Sequence, residues 1–412
     1  MKHKKPAAFI TAAVLLIAMI VISSVSRQNS DKSAARQTAA TVSQAYPVHT
    51  DETTDDMRAV WVSFMDLTME YESDKSEAAF TDKFDSIAAE CKDFGFNTLI
   101  VQVRPFCDAL YESSIYPPSH ILSGEQGKSA GYDALSIICD ICGKYGLKLH
   151  AWVNPYRVTA ENTPSKLSAD NPYIIESGLG IETESGIILD PSNEKTRRLI
   201  TDGVKEILEN YPVDGIQFDD YFYPEDIEDE DSDSYERYLE TAPKDSAMDL
   251  HTWRCFNVDL LIAETYMTVH KSRADAVFGV SPQGNLSNND FLCADVVTWC
   301  GKRGYIDYIC PQLYLSIDHP YLGFETALNE WESLSYAEGV RLYAGLAGYK
   351  AGSDADGGTW LDSDDMLARE YNILKRNNKY KGFILYSYAS LNDPKAEKEL
   401  ENLKEAIGTV DS

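Results

Sequence analysis

Basic residues are scarce in this chain. Of 412 residues, 37 are Lys or Arg against 66 Asp or Glu, a formal net charge of −29. A nucleic-acid backbone is gripped by cationic side chains that displace its counterions, so nucleic acid is excluded as a partner. Histidines number seven and are scattered. There is no His-x-His pair. The one Cys-x-x-Cys, Cys139 and Cys142, has no second copy and lies in a helical apolar pattern from Leu135 to Tyr145. No zinc module and no catalytic transition metal is therefore expected. Most of the eight cysteines fall in helices or strands and read as small buried hydrophobes. Cys107, just after a strand end, is the exception. No Gly-rich phosphate turn follows the first strand-like run, since Ser63 to Asp66 supplies none, and this disfavours a nucleotide-binding doubly wound sheet. No small-molecule cofactor is expected, and no repeat of short fixed period is present.

What is abundant is apolar and aromatic material, 44% and 11% of the chain, ample for one large core. At the N-terminus Lys2, His3, Lys4 and Lys5 precede an uncharged, mostly apolar run from Ala7 to Val25. That run is near the ~20 residues that span a bilayer and exceeds a ~7–15-residue signal core. Residues 1–25 are read as a signal or anchor segment, positive side in. Residues 26–55, rich in Ser, Ala, Thr and Gln, are read as a flexible tether. Both imply an extracytoplasmic domain, at the membrane through its N-terminus or secreted.

From residue 56 to 410 strand-like runs alternate with helical patterns. The runs are Arg58–Phe64, Thr98–Pro105, Leu147–Tyr156, Val213–Phe218, Val277–Pro282, Tyr308–Tyr314, Arg341–Leu346 and Gly382–Tyr388. Helical patterns lie near Phe80–Phe94, Tyr132–Tyr145, Asn193–Asn210 (capped by Ser192), Met248–Arg273, Phe324–Ala337, Ser363–Asn377 and Pro394–Ile407. Eight strands alternating with helices is the count for an α/β fold of the (β/α)8 TIM-barrel type, whose chemistry sits at the C-terminal strand ends.

Those ends carry Asp66, Arg104, Asp108, Asn154, Tyr156, Arg157, Asp219, Asp220, Tyr221, Gln283, Asn285, Gln312, Tyr314, Tyr386 and Tyr388, with Trp61 and Trp152 just below. Amides and carboxylates hydrogen-bond hydroxyls, and aromatic faces stack on the C–H face of a sugar ring, so the set points to a glycan. Cleaving a glycosidic bond takes a proton donor to the leaving oxygen and a carboxylate that attacks or stabilises an oxocarbenium-like state. Asp219 lies in phase with Gln217, which points into the barrel, and is expected to be the nucleophile or charge stabiliser. Asp220 would be the acid or its orienting partner, provided a bulge or turn at Asp220 lets neighbouring residues face the same side. Asp108 is the expected third carboxylate. Arg104 is expected to contact substrate or to pair with Asp219 and depress its pKa. Trp61, Trp152, Asn154, Tyr156, Arg157, Gln217, Tyr221, Gln283, Asn285, Gln312, Tyr314 and Tyr386 complete the expected substrate-binding set. His150, within a strand, reads as a core histidine. The acidic run at 225–236 matches calcium-loop spacing at Asp229, Asp231, Asp233 and Glu240, but Ser234 stands where that loop needs Gly, and it reads as a solvated loop.

Several stretches together resemble the glycosyl-hydrolase-like family 10. They are Arg58-Ala59-Val60-Trp61-Val62, Asn97 to Pro105 with Asp108-Ala109-Leu110-Tyr111, His150 to Arg157, Leu189-Asp190-Pro191 and Asp214 to Tyr221, with a weaker match at Pro311 to Tyr314. The resemblance runs in order over about residues 57–390. It implies a TIM-barrel glycosidase of the cell envelope, similar to enzymes that cleave peptidoglycan strands lacking stem peptides. Asp214-Gly215 through Asp219 is also similar to the fourth strand of amylase-like and chitinase-like barrels. Tyr221 stands where the chitinase acid would be, against that mechanism, while the amylase-like comparison puts Asp219 at the nucleophile position. A non-catalytic glycan-binding barrel is the alternative of another class. A metal-dependent deacetylase or phosphodiesterase lacks a ligand set.

Overall fold

The β-branched and aromatic runs form strands because each alternates between two apolar environments, the barrel interior and the surrounding helices. The structure is a computed structural model that describes residues 56–408 apart from 177, 225 and 226. The expected segments at 1–25 and 26–55 lie outside the described residues. Among those described, no helix is long and apolar enough to cross a membrane.

The described residues form ten strands: β1 (Met57–Val62), β2 (Thr98–Arg104), β3 (Lys148–Val153), β4 (Gly180–Thr183), β5 (Gly186–Leu189), β6 (Gly215–Phe218), β7 (Val277–Val280), β8 (Tyr308–Ile309), β9 (Arg341–Ala347) and β10 (Tyr380–Tyr386). Eight of them close a parallel barrel in the order β1-β10-β9-β8-β7-β6-β3-β2. The others, β4 and β5, pair antiparallel as a hairpin. The hairpin and the helix Pro172–Ile175 fill the stretch between β3 and the helix Glu194–Asn210.

The crossover helices follow their apolar stripes. In Glu77–Phe94, Phe80, Phe84, Ile87, Ala88 and Cys91 are buried at helical spacing; Ser76 caps the start, and Gly95, at φ 108°, ends it. The helix Glu194–Asn210 is capped by Asn193, not Ser192, whose hydroxyl is bound to Asp190. The acidic run also differs from expectation, because Ser232–Thr241 is helical. Asp231 there is buried and paired with Arg254 through both carboxylate oxygens, which removes it from any cation loop.

Inside the barrel, Ala59, Trp61, Ile100, Trp152, Tyr308, Cys310, Tyr343 and Ile384 pack as one cluster. A polar column rises through it. His150 Nδ1 lies 2.9 Å from the Tyr308 hydroxyl, Gln217 donates to that hydroxyl at 3.2 Å, and Trp61 Nε1 donates to Gln217 at 2.6 Å. Burial, with Lys148 nearby, pushes His150 down to about 3, so it stays a neutral core group. Gly279 makes room for the column, since a Cβ there would fall within the Tyr308 ring. Tyr308 is tied at its hydroxyl and cannot swing clear. Gly279→Ala is expected to lower stability by about 3 kcal/mol, the upper end of ordinary overpacking, read as an earlier denaturant midpoint.

Strand β2 corrects one expectation. Gln102 pairs with Trp152 but Arg104 pairs with Val153, a bulge that turns Arg104 away from the barrel axis. Arg104 is buried outside the wall, donating to the Asn154 and Pro155 carbonyls and lying 4.5 Å from the Tyr116 ring centre. Its guanidinium neither reaches the rim pocket nor pairs with Asp219.

Candidate active site

Strand β6 ends at Phe218, and the backbone turns at once, Phe222 N–H donating to the Asp220 carbonyl at 2.9 Å. This turn is what allows adjacent carboxylates to share the rim. Asp219 continues the inward phase of Gln217. Its Oδ2 accepts from Trp152 Nε1 at 2.9 Å and from Asn154 Nδ2 at 3.0 Å. Its Oδ1 is buried with no hydrogen-bond partner among the described residues. Asp220 is held at both oxygens, Oδ1 by Gln312 Nε2 at 3.0 Å and Oδ2 by Gln283 Nε2. The two amides come from loops following β7 and β8, which bridge at Gln283 and Gln312.

The two carboxyls stand in different electrostatic settings. Burial pushes Asp219 up to about 7; the Asp220 charge adds to this, and Arg157 with the Trp152 and Asn154 donors opposes it. That is the reverse of the expected depression by Arg104. Burial also raises Asp220, but the Gln312 and Gln283 amides hydrogen-bond its charged form at both oxygens. Arg157 is the cation at the site. It lies 4.9 Å from the Phe106 ring centre and 4.8 Å from that of Tyr221, and donates to the Pro105 carbonyl. Asn154 couples it to Asp219, accepting from Arg157 N–H at 3.1 Å while donating to Asp219.

Beside Asp220 a cavity of about 650 Å³ runs beneath the β4–β5 hairpin, lined by Arg157, Glu161, Glu184, Ile188, Tyr221 and Gln283 among others. Near the carboxylates Trp61, Tyr314, Tyr349 and Tyr386 form an aromatic group, with ring centres 5.6 to 6.5 Å apart. Tyr386 senses the charges of Asp219, Asp220 and Arg157. Trp61 and Gln217 are buried below the rim and position what stands above them.

Five residues expected at the rim, besides Arg104, have other work. Tyr156 is fully buried in the layer between barrel and helices, where the charges nearest its hydroxyl are Arg197, Asp190 and Glu264. Asn285 closes a turn, accepting from the Ser287 N–H and hydroxyl. Asp108 is enclosed, with Gln126 at 3.1 Å and His120 at 3.5 Å as its partners, and is not a third member of the carboxylate pair. Asp66 caps the short helix at Phe64–Leu67 through Ser63. Tyr388, also at a predicted rim, reaches outward to Glu90. Conversely Glu161, Glu184, Ile188 and Tyr349 were not anticipated. Their signal was weak: Glu184-Ser185-Gly186 between Ile181 and Ile187-Ile188 is a turn signature, and reading it as a hairpin would have put a wall over the pocket.

A family model described as Glycosyl hydrolase-like 10 matches residues 56–361. Among curated proteins, the glycosyl hydrolase YngK of Bacillus subtilis is 31% identical over 359 residues, covering 82% of this chain and 69% of its own length. The glycosyl hydrolase DigH of Escherichia coli is 28% identical over 404 residues, covering 88% and 90%. Among solved structures, the PgaB (BpsB) glycoside hydrolase domain from Bordetella bronchiseptica superposes at a TM-score of 0.56 with 12% identity, over 84% of this chain and 99% of that one. The last likeness is one of fold.

Proposed function

This chain belongs to the glycosyl hydrolase-like 10 family and is a glycosidase; on that premise we propose that it cleaves peptidoglycan glycan strands outside the cytoplasm, with Asp219 as proton donor and Asp220 as the charged carboxylate. The observation that carries the role assignment is the asymmetry of Asp219. One oxygen accepts two N–H bonds and the other has no partner. That is how a neutral carboxyl group is held when its free oxygen carries a proton for the leaving glycosidic oxygen. A group pushed up to about 7 still holds that proton near neutral pH. Asp220, whose charged form the two amides hydrogen-bond at both oxygens, would face the positive charge that develops on the sugar. This exchanges the roles expected from the amylase-like comparison, where Asp219 would attack. Tyr221, Tyr314 and Tyr386 would bind sugar faces, and Trp152, Arg157, Asn154, Gln283 and Gln312 would set the carboxyls, with Trp61 and Gln217 supporting them from below. The basic start and uncharged run at residues 2–25 support an extracytoplasmic location.

Digestion of purified peptidoglycan by the whole chain tests the substrate, with and without prior amidase removal of stem peptides. Short glycans released from the amidase-treated wall, identified by mass spectrometry, are expected. Release from neither wall overturns the peptidoglycan reading.

The role assignment has its own test in the pH profile. A proton donor near 7 gives kcat/KM that falls as pH rises through about 7. Arg157→Gln removes a positive charge that favours the ionised form, so the falling limb moves upward by ~1 unit. If the limb near 7 instead rises with pH, Asp219 acts as the attacking anion.

A further inference from the structure

On the far side of the loop that carries Gln283, the helix Leu250–Ser272 places His251 and Cys255 one turn apart near its start, and Cys293 comes against them from the chain just after the short helix Asn288–Phe291. One donor atom from each lies within 4.8 Å of the others. His251 Nδ1 is 4.0 Å from Cys293 Sγ, and Nε2 is 3.6 Å from Cys255 Sγ. Nε2 also lies 3.0 Å from Asp290 Oδ1. We propose that His251, Cys255 and Cys293 bind a zinc ion that fastens this loop to the helix, with Asp290 orienting the imidazole.

The donor set and spacing carry the assignment. Two sulfurs and an imidazole are a borderline-soft set that suits zinc over magnesium or calcium. Around a tetrahedral zinc with bonds of ~2.0–2.3 Å, donor atoms stand roughly 3.5–4 Å apart, so small side-chain rotations close the site. With Nε2 on Asp290, Nδ1 is the ring nitrogen left for the metal, and a carboxylate on the other nitrogen is the usual support for a metal-bound histidine. Cys293 is buried and His251 exposed, so the ion would sit at the surface with its fourth position open to water. Binding replaces two thiol protons by two zinc–sulfur bonds and releases them to solvent, so affinity rises with pH. The sequence shows no zinc spacing because the helix supplies two ligands and a distant loop the third.

The site has a mechanical consequence. The fastened segment begins near Gln283, which holds Asp220, and includes Leu292, which lines the cavity and accepts the Tyr223 N–H at 3.3 Å. An ion here would fix one wall of the substrate pocket without touching substrate.

The test is cobalt titration of the whole chain, reduced and stripped with chelator, followed by zinc. One equivalent is expected, with a thiolate-to-cobalt charge-transfer band that zinc abolishes. Cys255→Ser and Cys293→Ser should remove the band. Asp290→Asn should weaken affinity by about tenfold. His251→Gln, at a half-exposed side chain, should remove most binding while circular dichroism reports an intact fold, which separates loss of the site from misfolding. No band in the folded wild type, or a band unchanged by these substitutions, overturns the proposal. So does a Cys255–Cys293 disulfide found by mass spectrometry in the chain as isolated.

Discussion

Replacing Asp219 by asparagine should abolish glycan hydrolysis, by about a thousandfold or more in kcat, and should also make the barrel harder to unfold at pH 8. The first effect follows from removing the only group at this position able to give a proton. The second follows from linkage. The native state holds the Asp219 proton up to about 7, whereas an unfolded aspartate releases it near its ordinary value of 3.8. For a carboxyl raised in this way, the stabilising contribution is complete below the unfolded value and is lost as pH climbs toward about 7. Above that, the wild type keeps a buried anion with an unpartnered oxygen. Asparagine presents its carbonyl oxygen to the Trp152 and Asn154 donors and puts its NH2 where Oδ1 was, with no charge to bury. The variant's Tm should exceed the wild type's by several degrees at pH 8, and the gap should close by pH 4. Equal Tm at both values would mean that Asp219 is ionised throughout and is no proton reservoir. Active sites commonly hold stability in reserve this way.

This balance could not be read from the sequence, although its members could. Asp219, Asp220, Gln283, Gln312, Trp152 and Asn154 all stand at strand ends, and an alternating strand pattern is enough to bring them together. The barrel itself was legible for the same reason, since its eight buried runs are separated by amphipathic helices with clear stops such as Gly95 and Gly146. What failed depended on local irregularity. A bulge in β2 turned Arg104 out of the barrel, and no residue in Val101-Gln102-Val103-Arg104 marks it. Tyr156 follows the β3 end by three residues, where the strand phase no longer applies, and it points into the helix layer. Asp231 looked like one more solvated carboxylate because its partner, Arg254, is on a later helix. In each case the outcome turned on a contact across the fold that local pattern does not encode.

The amide pair around Asp220 is where the two carboxyls become one device. Gln283→Leu combined with Gln312→Leu should lower kcat/KM by about a hundredfold at neutral pH, with the barrel still folded. The substitutions take away both side-chain donors that the described residues offer to the Asp220 oxygens. Burial already disfavours charge there, so without the amides Asp220 moves further up and tends to keep its proton. A neutral Asp220 no longer stabilises positive charge on the sugar, which accounts for the lost rate. It also no longer repels the Asp219 anion, and that repulsion is part of what lifts Asp219 toward 7. The remaining activity should therefore show its falling limb at lower pH than the wild type, opposite in direction to Arg157→Gln. The backbone should tolerate the change, because Gln283 and Gln312 are bridged through their main chains and Gln312 packs against a glycine, Gly284, whose missing Cβ admits its carbonyl. A double variant with reduced rate but an unmoved limb would show that the two carboxyls titrate independently, and that Asp219 owes its raised value to burial alone.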